Sequence, residues 1–175
     1  GTVLKRAMKG QFDLMGAMAK IAEEAQDASK LPKAGAGPLA TEAHVVDLLK
    51  RGVLFASNEA VLRHMNDLQK QQMLLMAMAD MMMEAYAVDS AVARARQIAL
   101  EQGEVQARIP TLLAQIYLAN ALRAVRQRAE DLLVNVLPEG ELAGKLEALG
   151  RFFGLYRFAT IPAKLAVADH LLERE

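Results

Sequence analysis

Residues 67–102 run without a glycine or a proline until Gly103 stops them, and they carry the stretch MLLMAMADMMMEAY at 73–86. A run of about 35 residues is several times the length of a β-strand. It shows no period-two alternation, which leaves a helix extending roughly 50 Å. A rod of that length needs comparable rods beside it to bury its apolar surface. The expected fold is therefore all-α: an up-and-down antiparallel helical bundle with long central helices and no sheet. Composition agrees, because Ala and Leu dominate the apolar residues, Met is frequent and aromatic side chains are sparse, a mix that favours helix.

Glycine and proline divide the rest of the chain. A first helix is expected from about Thr2 to Asp27, broken near Gly10, with Phe12, Leu14, Met15, Met18, Ile21 and Ala22 on one face and Glu23 and Glu24 on the other. The stretch SKLPKAGAGPLA, with two prolines and two glycines, reads as a linker over 28–40. Thr41 is the expected N-cap of a second helix reaching about Asn66, and the third covers Asp67 to Gln102. A fourth spans Glu104 to Leu137, with Pro110 either bending it or standing at its first position; Pro138 and Gly140 close it. A shorter helix from Glu141 to about Phe153, the aromatic turn RFFGLYRF and a terminal helix after Ile161-Pro162 complete the chain. Three divisions follow: 1–27, 28–40 and 41–175.

The methionines invite a chemical reading. With successive residues about 100° apart on a helix, Asn66, Lys70, Met73, Ala77, Asp80 and Glu84 share one narrow strip. Met76, Met78, Met81, Met82, Met83, Leu74, Leu75 and Tyr86 spread over most of the remaining circumference. Thioethers holding a soft metal such as copper(I) have to converge on one point. These diverge, and the nearest histidine, His64, stands nine residues before Met73. A helix apolar on most of its surface is expected to be the enclosed, central rod of the bundle, with methionine filling irregular gaps. The other reading is a docking surface for a partner helix or lipid, which predicts an exposed apolar patch around Met78 to Met83.

Other constellations are weaker. Lys+Arg and Asp+Glu are both 21, so no basic excess points to nucleic acid. Zero cysteines exclude a disulfide framework, thiolate zinc sites and a cysteine nucleophile, and fit a reducing, intracellular compartment. None of His44, His64 and His170 has Glu three residues before it, so the Glu-x-x-His pairs of di-iron bundles are absent. The GAG at 35–37 lacks a phosphate-loop setting, and Ser29, Ser57 and Ser90 lack a nucleophile elbow. Arg123, Arg126 and Arg128 precede Glu130 and Asp131 and read as a solvated, salt-bridged face. The start, GTVLKRAMKG, has no signal-peptide pattern, and no window reaches the roughly 18 apolar residues of a membrane span. A soluble chain is expected, and the first residue, Gly1 rather than Met, suggests a mature product or a fragment. No catalytic, cofactor-binding or metal-ligating residue is assigned.

Three stretches in order carry a family resemblance. GTVLKRAMKG resembles the segment that follows the catalytic core in acyl-CoA dehydrogenases with a C-terminal extension. MADMMMEAYAVDSAVARARQ resembles the central helix of that extension, through Ala79-Asp80, Tyr86-Ala87 and Ala91 to Arg94. RFFGLYRFATIPAKLAVADHLLERE resembles the terminal segment of the bacterial enzymes. The resemblance, to the very-long-chain type in its bacterial form, implies an FAD-dependent parent that dehydrogenates fatty acyl-CoA thioesters in β-oxidation. The parent's base and flavin contacts would lie before Gly1, so no catalytic residue carries over and the cofactor belongs to the parent. Residues 1–27 become a connector from an absent core, and 41–175 an accessory bundle with a structural or oligomerising role. The implied partners are that core and further copies of the chain, and the implied compartment is the bacterial cytoplasm. Mitochondrial relatives associate with a membrane, but the linker here has only Lys30 and Lys33 as cations, which disfavours membrane binding through it.

Overall fold

The computed structural model describes residues 14–154 and 156–173; the expected exit segment 1–9 and the break at Gly10 lie outside them. Six helices follow in order: α1 (Leu14–Gln26), α2 (Ala40–His64), α3 (Gln72–Gln102), α4 (Glu104–Val136), α5 (Glu139–Gly150) and α6 (Thr160–Leu172). Short 3-10 turns occupy Ala28–Lys30 and Met65–Lys70. No strand occurs among the described residues, and the fold is all-α.

The three long helices run up, down and up. Lys50 on α2 pairs with Asp89 on α3 at 3.2 Å, and Arg96, further along α3, donates to the Ala36 carbonyl just ahead of α2. These contacts make α2 and α3 antiparallel. Gly103 alone separates α3 from α4, at φ 87°, a left-handed conformation that a Cβ would strain. Glu42 near the start of α2 meets Gln115 in the first half of α4, so α2 and α4 run parallel.

Small and branched residues at helical spacing let these rods approach closely. Ala85, Val88, Val92 and Ala95 on α3 share one buried core with Ala114, Leu118, Ala121 and Val125 on α4 and with Val46, Leu49, Val53 and Ala56 on α2. The shorter helices are distributed unevenly: α1 lies on α2, α5 packs against α1, α2 and α4, and α6 lies on α4. Among the described residues the substantial α-helical neighbours of α3 are α2 and α4.

That asymmetry overturns the expected burial of the methionines. Met78 and Met81 are buried, but Met73, Met76, Met82 and Met83 are 75%, 57%, 44% and 61% exposed, and Tyr86 is 77% exposed. Apolar residues almost all round a helix predict neighbours all round it. Among the described residues two long neighbours cover one stripe and leave the opposite side bare. The more enclosed rod is α4, whose buried residues recur from Ala107 to Val136.

Several boundaries also move. Leu39, with φ 51°, precedes α2 as its cap in place of Thr41. A turn ending in Ala40 N–H donating to the Gly37 carbonyl (3.2 Å) starts the helix early, and Thr41 falls within its first turn. The join near Asn66 is a 3-10 turn, so α3 begins at Gln72 and has 31 residues. Pro110 lies inside α4 rather than at its first position. Gly140 lies within α5, which begins at Glu139 because the Pro138 carbonyl accepts from the N–H groups of Glu141 and Leu142. Ile161-Pro162 falls in the first turn of α6, where a missing N–H costs nothing because the first-turn donors have no intrahelical acceptors.

Glycine matters most at Gly52. A Cβ built there would stand 2.5 Å from Phe153 Cε2 and 3.3 Å from Phe152 Cβ. The bare backbone of α2 is the seat for the aromatic turn, whose Phe152 and Phe153 are buried and whose Phe152 ring lies 5.8 Å from that of Phe55.

Candidate functional site

Long helices carry polar side chains into the core at three places. Between α1 and α2, Glu24 is buried and pairs with Arg51 Nε at 3.4 Å, while Arg51 Nη2 reaches Asp47 at 3.4 Å. Arg151, after α5, donates to the Ala25 carbonyl at the end of α1. Between α2 and α5, Lys145 Nζ donates to Glu59 Oε1 at 2.6 Å and sits 5.6 Å from the centre of the Phe55 ring. Buried charges of this kind are costly to leave unpaired, so the pairs fix how α1 and α5 sit on α2.

The third cluster closes a cleft of about 830 Å³ between the starts of α2 and α4, the end of α3 and α6. Glu42, 8% exposed, accepts from Gln115 Nε2 at 2.7 Å and from the Tyr156 hydroxyl at 3.0 Å. Burial, together with the Glu42 carboxylate, pushes the Tyr156 phenol well above its usual range. Tyr156 is therefore a fixed hydrogen-bond donor. The rest of the cleft wall is mostly apolar, with Leu39, Ala107, Leu112 and Ala163, and is joined by the charged Glu104 and Arg108. Sequence reasoning missed this cluster. Its members are 73 and 114 positions from Glu42, and no local pattern joins them.

The histidines do not assemble: His44 and His64 stand near opposite ends of α2, and His170 stands near the end of α6. Among the described residues no three His, Asp or Glu side chains gather as metal ligands. Ser57 is buried with its hydroxyl unpartnered, Ser90 donates to the Tyr86 carbonyl, and Ser29 lies in the 3-10 turn before the linker. Of the arginine cluster, Arg126 pairs with Glu130 at 2.8 Å, Arg123 donates to Asn120, and Arg128 lines the groove between α3 and α4. Among the described residues, the built features are therefore packing surfaces and fixed polar anchors. No helix among them is long and apolar enough to cross a membrane.

The described residues form an all-α bundle whose polar groups brace helices against one another, and comparison with known proteins gives its lineage. Residues 48–151 match the family described as "Acyl-CoA dehydrogenase, C-terminal domain", and the chain belongs to that family. It is 27% identical over 175 residues to a protein of Bacillus subtilis (strain 168) named "Probable acyl-CoA dehydrogenase", covering 99% of this chain and 29% of the relative. It superposes with a TM-score of 0.90 and 26% identity on an acyl-CoA dehydrogenase complexed with FAD from Bacillus anthracis, again over 99% of this chain and 29% of that one. The chain thus spans less than a third of the length of either.

Proposed function

We propose that this chain is the accessory C-terminal helical domain of a larger FAD-dependent acyl-CoA dehydrogenase. The parent carries out α,β-dehydrogenation of fatty acyl-CoA thioesters in β-oxidation, in the bacterial cytoplasm. The observation that carries this reading is the match of nearly the whole bundle to under a third of a flavin-bound acyl-CoA dehydrogenase, at a TM-score of 0.90. Residues 1–27 lead out of the core and include α1, which lies on the bundle; 28–40 form a linker and 41–175 form the rest of the bundle. Its role is structural, supporting the core and setting the state of a homo-oligomer.

The residues present do not suit a flavin dinucleotide. The 830 Å³ cleft sets the carboxylates of Glu42 and Glu104 against one guanidinium, Arg108, within a mostly apolar lining. A diphosphate requires converging cations or backbone N–H donors. FAD, the catalytic base and the acyl-CoA site are accordingly assigned to the rest of the parent, and no catalytic, cofactor or metal role falls to this chain.

The test is to purify the full-length parent and a version cut before α1. The full protein should carry FAD and reduce an artificial acceptor with fatty acyl-CoA. The cut version should lose thermal stability and change oligomeric mass. Unchanged mass and melting temperature would sink the structural role.

A second reading, a stand-alone interaction or lipid-binding module, is favoured by the exposed Met76, Met83 and Tyr86. It predicts that the parent gene encodes no flavin core and that the chain binds vesicles or a partner helix through α3.

A further inference from the structure

Each long helix has an outward side, and the bundle's own short helices cover two of the three. α1 and α5 lie on α2, and α5 and α6 lie on α4, while among the described residues no short helix is laid along α3. Over 76–86 that bare side is apolar. Met76, Ala79, Met83 and Tyr86 project from it, all exposed, along about 15 Å of helix. Asp89 is turned to Lys50 of α2, and Asp80 lines the groove against α4, so the charges keep to the edges of the strip.

That groove continues the surface. It has a volume of about 480 Å³, with Met73, Met76 and Asp80 on the α3 side and Arg128, Asp131 and Asn135 on the α4 side. An apolar centre with a polar rim is the anatomy of a protein interface. Methionine suits a surface that must fit an irregular preformed partner, because its flexible, polarizable chain adapts. Solvent alone is a poor environment for a strip this size.

We propose that this methionine face of α3, with the adjoining α3–α4 groove, is where the catalytic core of the same enzyme docks. This rests on the accessory-domain reading above. The relatives supply the argument for the occupant: this chain is 29% of each, so more than two-thirds of such a protein must be placed around a bundle in which the described residues leave one long helix uncovered. The strip carries little charge, so it matches an apolar protein surface better than an anionic lipid headgroup.

The experiment is methionine footprinting of the full-length enzyme with hydrogen peroxide, which transfers one oxygen to each accessible thioether and leaves water. Peptide mass spectrometry reads each site in the native and the urea-unfolded enzyme. Met76 and Met83 should oxidise about tenfold or more slowly in the native enzyme than in the unfolded one, tracking buried Met81. Native rates equal to the unfolded rates would overturn the proposal. The occupant is identified with M83C in the full-length enzyme, labelled with a photoreactive maleimide. Cross-links to peptides outside this chain support docking of the core. Cross-links to α3 of another copy, or to added lipid, overturn it. An enzyme that holds flavin and turns over yet oxidises freely at Met76 and Met83 defeats the docking face alone. A full-length protein with no flavin defeats the accessory-domain reading as well.

Discussion

Helices α3 and α4 are of similar length and both rich in apolar residues, yet they lead opposite lives. α4 buries Ala114, Leu118, Ala121, Val125, Ala129 and Leu132 among α2, α3 and its short companions. The first half of α3 buries Met78, Met81 and Ala85 and shows Met73, Met76, Met82, Met83 and Tyr86 to solvent. Apolar content alone does not report burial. What separates them is the number of neighbours: α4 has helices on several sides, whereas among the described residues α3 meets its long neighbours along one stripe, through Met78, Met81 and Ala85.

The comparison breaks most readily at the core of α4. Leu118→Ala should cost about 2–5 kcal/mol, the range for a fully buried leucine, read as a fall in the denaturation midpoint of the isolated chain. Met76→Ala should cost less than about 0.5 kcal/mol there, as for exposed positions generally. Similar losses from both would erase the contrast.

Gly52→Ala should cost about 1–3 kcal/mol, because its methyl collides with the Phe153 ring and the aromatic turn must lift from α2. A loss of near-ultraviolet aromatic signal should accompany it. Gly103→Ala should cost about 1 kcal/mol, since the reversal between the two helices holds a positive φ; a neutral result would mean that the turn relaxes.

The smallest effect belongs to pH. Folding raises the Tyr156 pKa above its unfolded value near 10. Stability from this group is fully present below about pH 10 and falls as pH rises beyond it, since the unfolded chain releases the proton first. Tyr156→Phe should lose about 1 kcal/mol at neutral pH for the missing hydrogen bond to Glu42 and flatten the alkaline decline. An unchanged alkaline slope in Y156F would assign the decline to other groups.

The helices were legible because their punctuation is local. Gly103 ends α3 as expected, and the aromatic turn falls where RFFGLYRF stands. Thr41 misled because a side-chain cap is only one way to begin a helix; the turn through Gly37 and Leu39 supplied another. The methionines misled for a different reason. Periodicity shows that a face is apolar, not whether its neighbour lies inside the same bundle. The Glu42–Gln115–Tyr156 cluster and the Gly52 seat were illegible, since each joins residues distant in the chain through packing alone.

The most direct test of the central reading is the visible spectrum of the full-length protein as a fatty acyl-CoA is added without electron acceptor. The account predicts a flavin band that bleaches on addition. A colourless protein, or a flavin band that no acyl-CoA bleaches, would contradict it.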